Sequence, residues 1–259
     1  MAVFLFEDII FGPVQSRRLG VSLGVNLLPT TYKYCNFDCI YCECGWTKKS
    51  EFTANKFHPK DQVIRKLEEI LSKMQNDRQT PDVITFAGNG EPTLHPDFEY
   101  IIENTITLRN AYFPQTRIAV LSNATMIERP DVFRALNKVD DNILKLDSPF
   151  NEKARLIDRP YKGYSIEKIT QKLQKFEGKL KIQTMFLEGK HEGISVDNTS
   201  DAEVEAWIEL LKKIKPEQVM IYSIARDTPS PDLKKISAEK MEKIAEKVRN
   251  AGFDVQVSL

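Results

Sequence analysis

The chain has 259 residues, and its 37 Lys plus Arg balance 37 Asp plus Glu to a formal net charge of zero. That length accommodates one sizeable α/β domain, and the even charge supplies no long-range field toward a polyanion, so nucleic acid is not favoured as a partner. An apolar share of 41% beside 29% charged residues is ordinary for a soluble globular protein, and the 9% aromatic content argues against disorder. The apolar start at residues 1–6 is broken by Glu7 and Asp8 and is too short for a secretory or membrane-spanning segment, so a cytoplasmic protein is expected.

Residues 1–20 read as an amino-terminal extension ahead of a first strand at 21–28. Residues 61–74 carry Val63, Ile64, Leu67, Ile70, Leu71 and Met74 at helical spacing, and 82–86 reads as a short buried strand. The alternation continues with a helix at 98–106, a strand at 117–121, a helix opened by Pro130 and a strand at 142–146. A helix capped by Ser165 follows, then a strand at 180–186, a helix with Val204, Trp207, Ile208 and Leu211, and a strand at 218–224. Ser237 opens a last amphipathic helix, and 254–258 can add an edge strand. Six strand-then-helix units predict a parallel sheet with right-handed crossovers. Eight such units need about 250 residues for the units alone, so an open, partial (β/α)6 TIM-like barrel is expected, with a doubly wound sheet as the alternative. No linker, repeat or low-complexity segment divides the chain, which predicts one domain over 1–259, with its core at 21–224 and a carboxyl-terminal helix and edge strand at 225–259.

All four cysteines fall between Cys35 and Cys44, a poor distribution for a disulfide framework and a good one for a metal site. Cys35, Cys39 and Cys42 are spaced three then two residues apart, with Tyr41 before the last. Three thiolates can hold three irons of a cubane cluster and leave the fourth open for chemistry, unlike the closed four-cysteine sites of electron carriers. Two rival readings use Cys44: a four-thiolate zinc loop, and a closed cluster in a non-catalytic electron-transfer module. In the open-iron reading Cys44 is a bystander thiol.

The Cys35-x3-Cys39-x2-Cys42 loop, the turn Gly88-Asn89-Gly90-Glu91-Pro92 and the strand end Leu121-Ser122-Asn123-Ala124-Thr125 resemble the radical S-adenosylmethionine (SAM) superfamily. Residues 11–20 and 89–96 look most like compact iron-sulfur oxidoreductases related to the radical SAM half of the wybutosine-synthesis enzymes. The resemblance implies a [4Fe-4S] cluster on Cys35, Cys39 and Cys42, reductive cleavage of SAM, and hydrogen abstraction by a 5′-deoxyadenosyl radical. It implies cofactor contacts at Tyr41, Gly90, Glu91, Ser122, Asn123, Asp147 and Gln183, and a flavodoxin or ferredoxin as electron donor. Asn89 departs from the family's paired glycines. The substrate stays open among a tRNA base, a peptide or protein, and a small metabolite. No second cysteine group follows, so the chain reads as the catalytic core alone.

Lys145, Thr184, Tyr222 and Arg226 add polar side chains at further strand ends. Arg17 and Arg18 are expected beside the cysteine loop, either holding an anionic substrate or neutralising the field there. His58, His95 and His191 lack metal spacing and read as solvated or as loop hydrogen-bonders.

Overall fold

Short apolar runs alternating with amphipathic segments build an α/β protein in the computed structural model, which describes residues 4–48 and 57–259; Met1 to Val3 of the apolar start lie outside them. The described residues divide into two compact units, one comprising Leu5–Cys35 and those of 47–142, the other Phe4, Asn36–Trp46 and Ile143–Leu259.

The first unit opens with an antiparallel pair, β1 (Ile10–Ser16) and β2 (Gly20–Val25), with Ile10 opposite Val25 and Ser16 opposite Gly20. β3 (Val83–Phe86) pairs parallel with β2, and β4 (Arg117–Ser122) parallel with β3. All four residues of β3 are buried, which accounts for its unbroken Val-Ile-Thr-Phe run: a parallel strand covered on both faces cannot alternate. Helices α1 (Lys60–Asn76), α2 (Phe98–Tyr112) and α3 (Pro130–Leu136) link the strands. α1 buries Val63, Leu67, Leu71 and Met74, one stripe of a 3.6-residue repeat.

In the second unit β5 (Asp141–Lys145), whose first two residues belong to the first unit, pairs parallel with β6 (Lys181–Met185). Strand β9 (Gln218–Tyr222) lies parallel between β6 and β11 (Val255–Ser258). A separate antiparallel sheet holds β7 (Leu187–His191) between β8 (Ile194–Ser195) and β10 (Leu233–Lys235). The helices are α4 (Asn151–Ile157), α5 (Ile166–Gln174), α6 (Asp201–Ile214) and α7 (Ala238–Asn250). Ser200 and Ser237 cap α6 and α7 by accepting from the amides of Glu203 and Lys240. Ser165 occupies the cap position of α5, but the cap bond comes from Asn151, whose Oδ1 accepts from the Ile166 amide at 2.8 Å.

Strand order in the main sheet is β1-β2-β3-β4-β5-β6-β9-β11. Neighbours in the sheet follow one another along the chain without the reversal that marks a doubly wound sheet, so the fold is the open, partial TIM-like α/β arrangement that the alternation predicts. The six strand-then-helix steps begin at β2, and the edge strand forms as β11. Three features are additional: β1, which lies inside the expected extension, the small sheet, and α4. Because β1 and β2 form a hairpin, Arg17 and Arg18 sit in its turn, where the Leu19 carbonyl accepts from Arg117 and the Val21 amide donates to Asp82. These partners mark the amino ends of β3 and β4, whereas Cys35, in the same unit, follows Tyr34, which is bridged to Gly90 past the carboxyl end of β3, so the expectation that the two arginines stand beside the proposed cluster is corrected for Cys35. Among the described residues, no helix is long and apolar enough to cross a membrane.

Trp207 anchors α6: its ring is buried edge-on to Phe186 at 5.3 Å, and Nε1 donates to the Leu146 carbonyl at 3.2 Å, one residue past β5. Replacing Trp207 with alanine should cost about 3–5 kcal/mol, seen as a lower urea midpoint with an unchanged slope.

Candidate cofactor site

The turn after β3 is built around two glycines and a buried acid. Gly88 and Gly90 have φ of 147° and 143°, in the region that glycine occupies without strain. At Gly90 a side chain is also excluded by space, since a Cβ there would fall 1.9 Å from the Tyr34 carbonyl oxygen. The Tyr34 amide donates to the Asn89 carbonyl at 2.8 Å and the Glu91 amide to the Tyr34 carbonyl at 3.1 Å, a single parallel bridge that fixes the residue before Cys35.

Glu91 caps the 3-10 turn Pro92–Leu94. Its Oε1 accepts from Ser122 Oγ at 2.8 Å and from the Thr93 amide and hydroxyl at 3.1 and 2.5 Å, while Oε2 accepts from the Asn123 amide at 2.7 Å. Burial pushes this carboxyl above its usual range, opposed by those same hydrogen bonds. Asn123 shapes the turn after β4, with Oδ1 accepting from the Thr125 amide at 3.0 Å and hydroxyl at 2.7 Å, and Nδ2 directed at Cys35 Sγ at 3.8 Å. Cys35, Gly90, Glu91, Ser122 and Asn123, chosen from three separate stretches of sequence, thus lie in one connected network within the first unit.

Asn89, the departure from paired glycines, is fully buried and acts as a staple. Its Oδ1 accepts from the Phe6 amide and its Nδ2 donates to the carbonyls of Phe6 and Pro29, each at 2.9 Å, while its backbone amide donates to Asn26 Oδ1 at 3.2 Å.

In the second unit the loop from Asn36 onward runs along the end of α4. The amides of Asp38 and Ile40 donate to the carbonyls of Asp158 and Ile157, and the Cys42 amide donates to the Cys39 carbonyl, closing a turn. Cys39 Sγ donates toward Asp158 Oδ1 at 3.7 Å. Tyr41 donates its hydroxyl to Asp147 Oδ2, and Asp147 Oδ1 accepts from the Met185 amide at 3.0 Å. Lys145 pairs with Asp147 and, at 3.2 Å, with Asp158, and its ammonium stands 4.6 Å from the centre of the Tyr41 ring. Burial pushes the Asp158 carboxyl up to about 8, with the Asp147 charge adding and Lys145 opposing. Tyr41 and Asp147 therefore bond to each other and to Lys145. Gln183 is buried on β6 and offers its backbone carbonyl to the Leu146 amide at 3.0 Å.

Asp158 and the role of Lys145 were not legible as site features. Asp158 lies 119 positions from Cys39 in a short helix end without motif. His95 is a buried loop hydrogen-bonder: its Nδ1 accepts from the Asp97 amide, so Nε2 donates to the His58 carbonyl at 2.9 Å. His191 is likewise buried, against Ser230 and Arg159. Thr184 spends its hydroxyl on the Leu146 carbonyl, and Arg226 pairs with Glu43 on the surface.

The four cysteines are half-buried and none is in a disulfide. No three His, Cys, Asp or Glu side chains stand together as a metal-ion site among the described residues. Soft thiol donors with an amide N–H directed at one sulfur suit an iron-sulfur cluster in their chemistry.

Gly90→Ala should lower the melting temperature and disorder the start of the cysteine loop, checked by thermal melt and by faster amide exchange at Cys35. Asn89→Gly, although it restores the paired-glycine pattern, should cost about 3 kcal/mol, because it strips hydrogen bonds from buried backbone groups; denaturant unfolding checks this.

A family model described as the Radical SAM superfamily matches residues 30–192. A protein of Brachyspira hyodysenteriae named GTPase Obg is 29% identical over 254 residues, covering 96% of this chain but 35% of that protein, so the chain spans about a third of its length. UPF0026 protein MJ1312 of Methanocaldococcus jannaschii is 32% identical over 240 residues, covering 91% of this chain and 68% of that one. Two solved structures share the fold. A radical SAM methyltransferase from Sphaerobacter thermophilus has a TM-score of 0.68 at 14% identity, over 91% of this chain and 65% of that one. Archaeal TYW1 has a TM-score of 0.53 at 15% identity, over 89% and 72%. With the motif turns interlocked as described and the family model spanning most of the chain, this protein belongs to the radical SAM superfamily.

Proposed function

We propose that the chain is an enzyme that holds a [4Fe-4S] cluster on Cys35, Cys39 and Cys42, binds SAM, and uses the pair to abstract hydrogen from a substrate. The observation that carries this reading is the network in which Asn123 Nδ2 faces Cys35 Sγ while Glu91 ties the turn after β3 to the turn after β4. When bound, the cluster supplies the electron that breaks the sulfonium bond of SAM to give the abstracting radical.

The protein's own contribution is positioning and exclusion of water. Gly90 lets the Tyr34 carbonyl pack directly against its Cα, which holds the backbone of the Gly88-to-Glu91 turn against the residue that precedes Cys35. Glu91 is buried and already accepts from four donors, so its role is to hold Ser122 and Asn123 in place, with its negative charge favouring an ammonium close by. Asn123 directs an N–H at Cys35, which favours the thiolate. Asp147 plays in the second unit the part that Glu91 plays in the first, accepting from Tyr41 and linking it through Lys145 to Asp158. Gln183 is the remaining candidate for a SAM contact. A flavodoxin or ferredoxin would deliver the electron, and the substrate class is a tRNA base, a peptide or protein, or a small metabolite.

The test is anaerobic reconstitution with iron and sulfide, then paramagnetic resonance of the dithionite-reduced protein with and without SAM. A reduced [4Fe-4S] signal that SAM alters, with 5′-deoxyadenosine accumulating, is the expected result. Cys39→Ala should abolish deoxyadenosine formation; a variant that still forms it would sink the assignment.

A further inference from the structure

We infer that Lys145 is a positioning residue that sets the charge beside Cys39, and through it the reduction potential of the cluster; this rests on the cluster assignment proposed above. The ammonium bonds the carboxylate partners of both the first and the last residue of the Cys39-Ile40-Tyr41 segment. On one side it bonds Asp158 Oδ1, the oxygen that faces Cys39 Sγ. On the other it bonds Asp147 Oδ2, the oxygen that accepts the Tyr41 hydroxyl, and it also stands over the Tyr41 ring.

The side chains of Lys145, Asp147 and Asp158 are 10%, 0% and 2% exposed, so solvent does little to screen them. Burial alone would push the ammonium toward neutrality, yet Asp147 and Asp158, with Cys39 and Tyr222 adding, hold its pKa well above the ordinary value. The lysine is therefore a fixed positive charge. It is two contacts from a sulfur proposed to carry iron, in a region where charges interact strongly.

An iron-sulfur cluster gains a negative charge on reduction, and its potential follows the charge and hydrogen bonding around it. A buried cation near Cys39 favours the reduced state, and a buried carboxylate opposes it. Lys145 and Asp147 then act with opposite sign although they belong to one bonded network, which a purely structural role would not produce.

The experiment is a potentiometric titration of the reconstituted cluster, read by paramagnetic resonance, in the wild type and in Lys145→Met, Lys145→Arg and Asp147→Asn. Lys145→Met should disfavour reduction at least tenfold, a negative shift of about 59 mV for one electron, and Asp147→Asn should shift the potential positively. Lys145→Arg, which keeps the charge, should stay within about threefold of the wild type. Shifts of the same sign in Lys145→Met and Asp147→Asn, or no shift in either, would overturn the inference. Should Lys145→Met fail to fold by thermal melt, Asp147→Asn decides alone: a positive shift supports the inference and any other result overturns it. A wild type that takes up no cluster overturns the parent reading and this one together, whereas a wild-type cluster indifferent to both charges overturns only this one.

Discussion

Glu91 joins the turn after β3 to the turn after β4 through a carboxylate shut away from water, and the first unit's share of the site depends on that joint. A buried carboxylate is costly unless its lone pairs are matched. Here the matching donors are the groups whose placement matters: Ser122 Oγ, the Asn123 amide and both donors of Thr93. The Asn123 side chain is then aimed at Cys35, whose backbone is held by the bridge between Tyr34 and Gly90. Removing the acid would leave several buried donors without acceptors, a larger loss than that of any one bond.

The second unit meets the same requirement with opposite charges. Two carboxylates lie close together, and their repulsion is offset by one lysine that bonds both. Such a cluster contributes little to stability, because desolvation cancels most of the Coulomb attraction, but it fixes geometry firmly, since breaking it strands a charge in a dry site. Both networks sit at strand ends, on rigid scaffolding, with loops carrying the functional groups.

Much of this was legible in the chain. The 3.6-residue stripe of α1 and the unbroken apolar run of β3 announce their elements because burial selects those patterns directly. The cysteine spacing and the Gly90-Glu91 turn are patterns that few other sequences share. The features that escaped lack such signals. β1 is mostly exposed and carries glycine and proline, so no apolar alternation marks it. α4 is seven residues long, and β8 two, too short for periodicity to register. Asn89 looked like a flaw in a motif because its role depends on Phe6 and Pro29, which only the folded chain brings to it. Asp158 escaped for the same reason.

The pairing of Asn89 with Phe6 is reciprocal, side-chain oxygen to backbone N–H and side-chain N–H to backbone oxygen, so an amide side chain substitutes for a neighbouring strand. Phe6, upstream of β1, is thereby part of the wall behind the Gly90 turn. Proteolytic trimming past Phe6 would strip the same bonds from Asn89 and loosen that wall while leaving the Gly90 turn's own sequence intact.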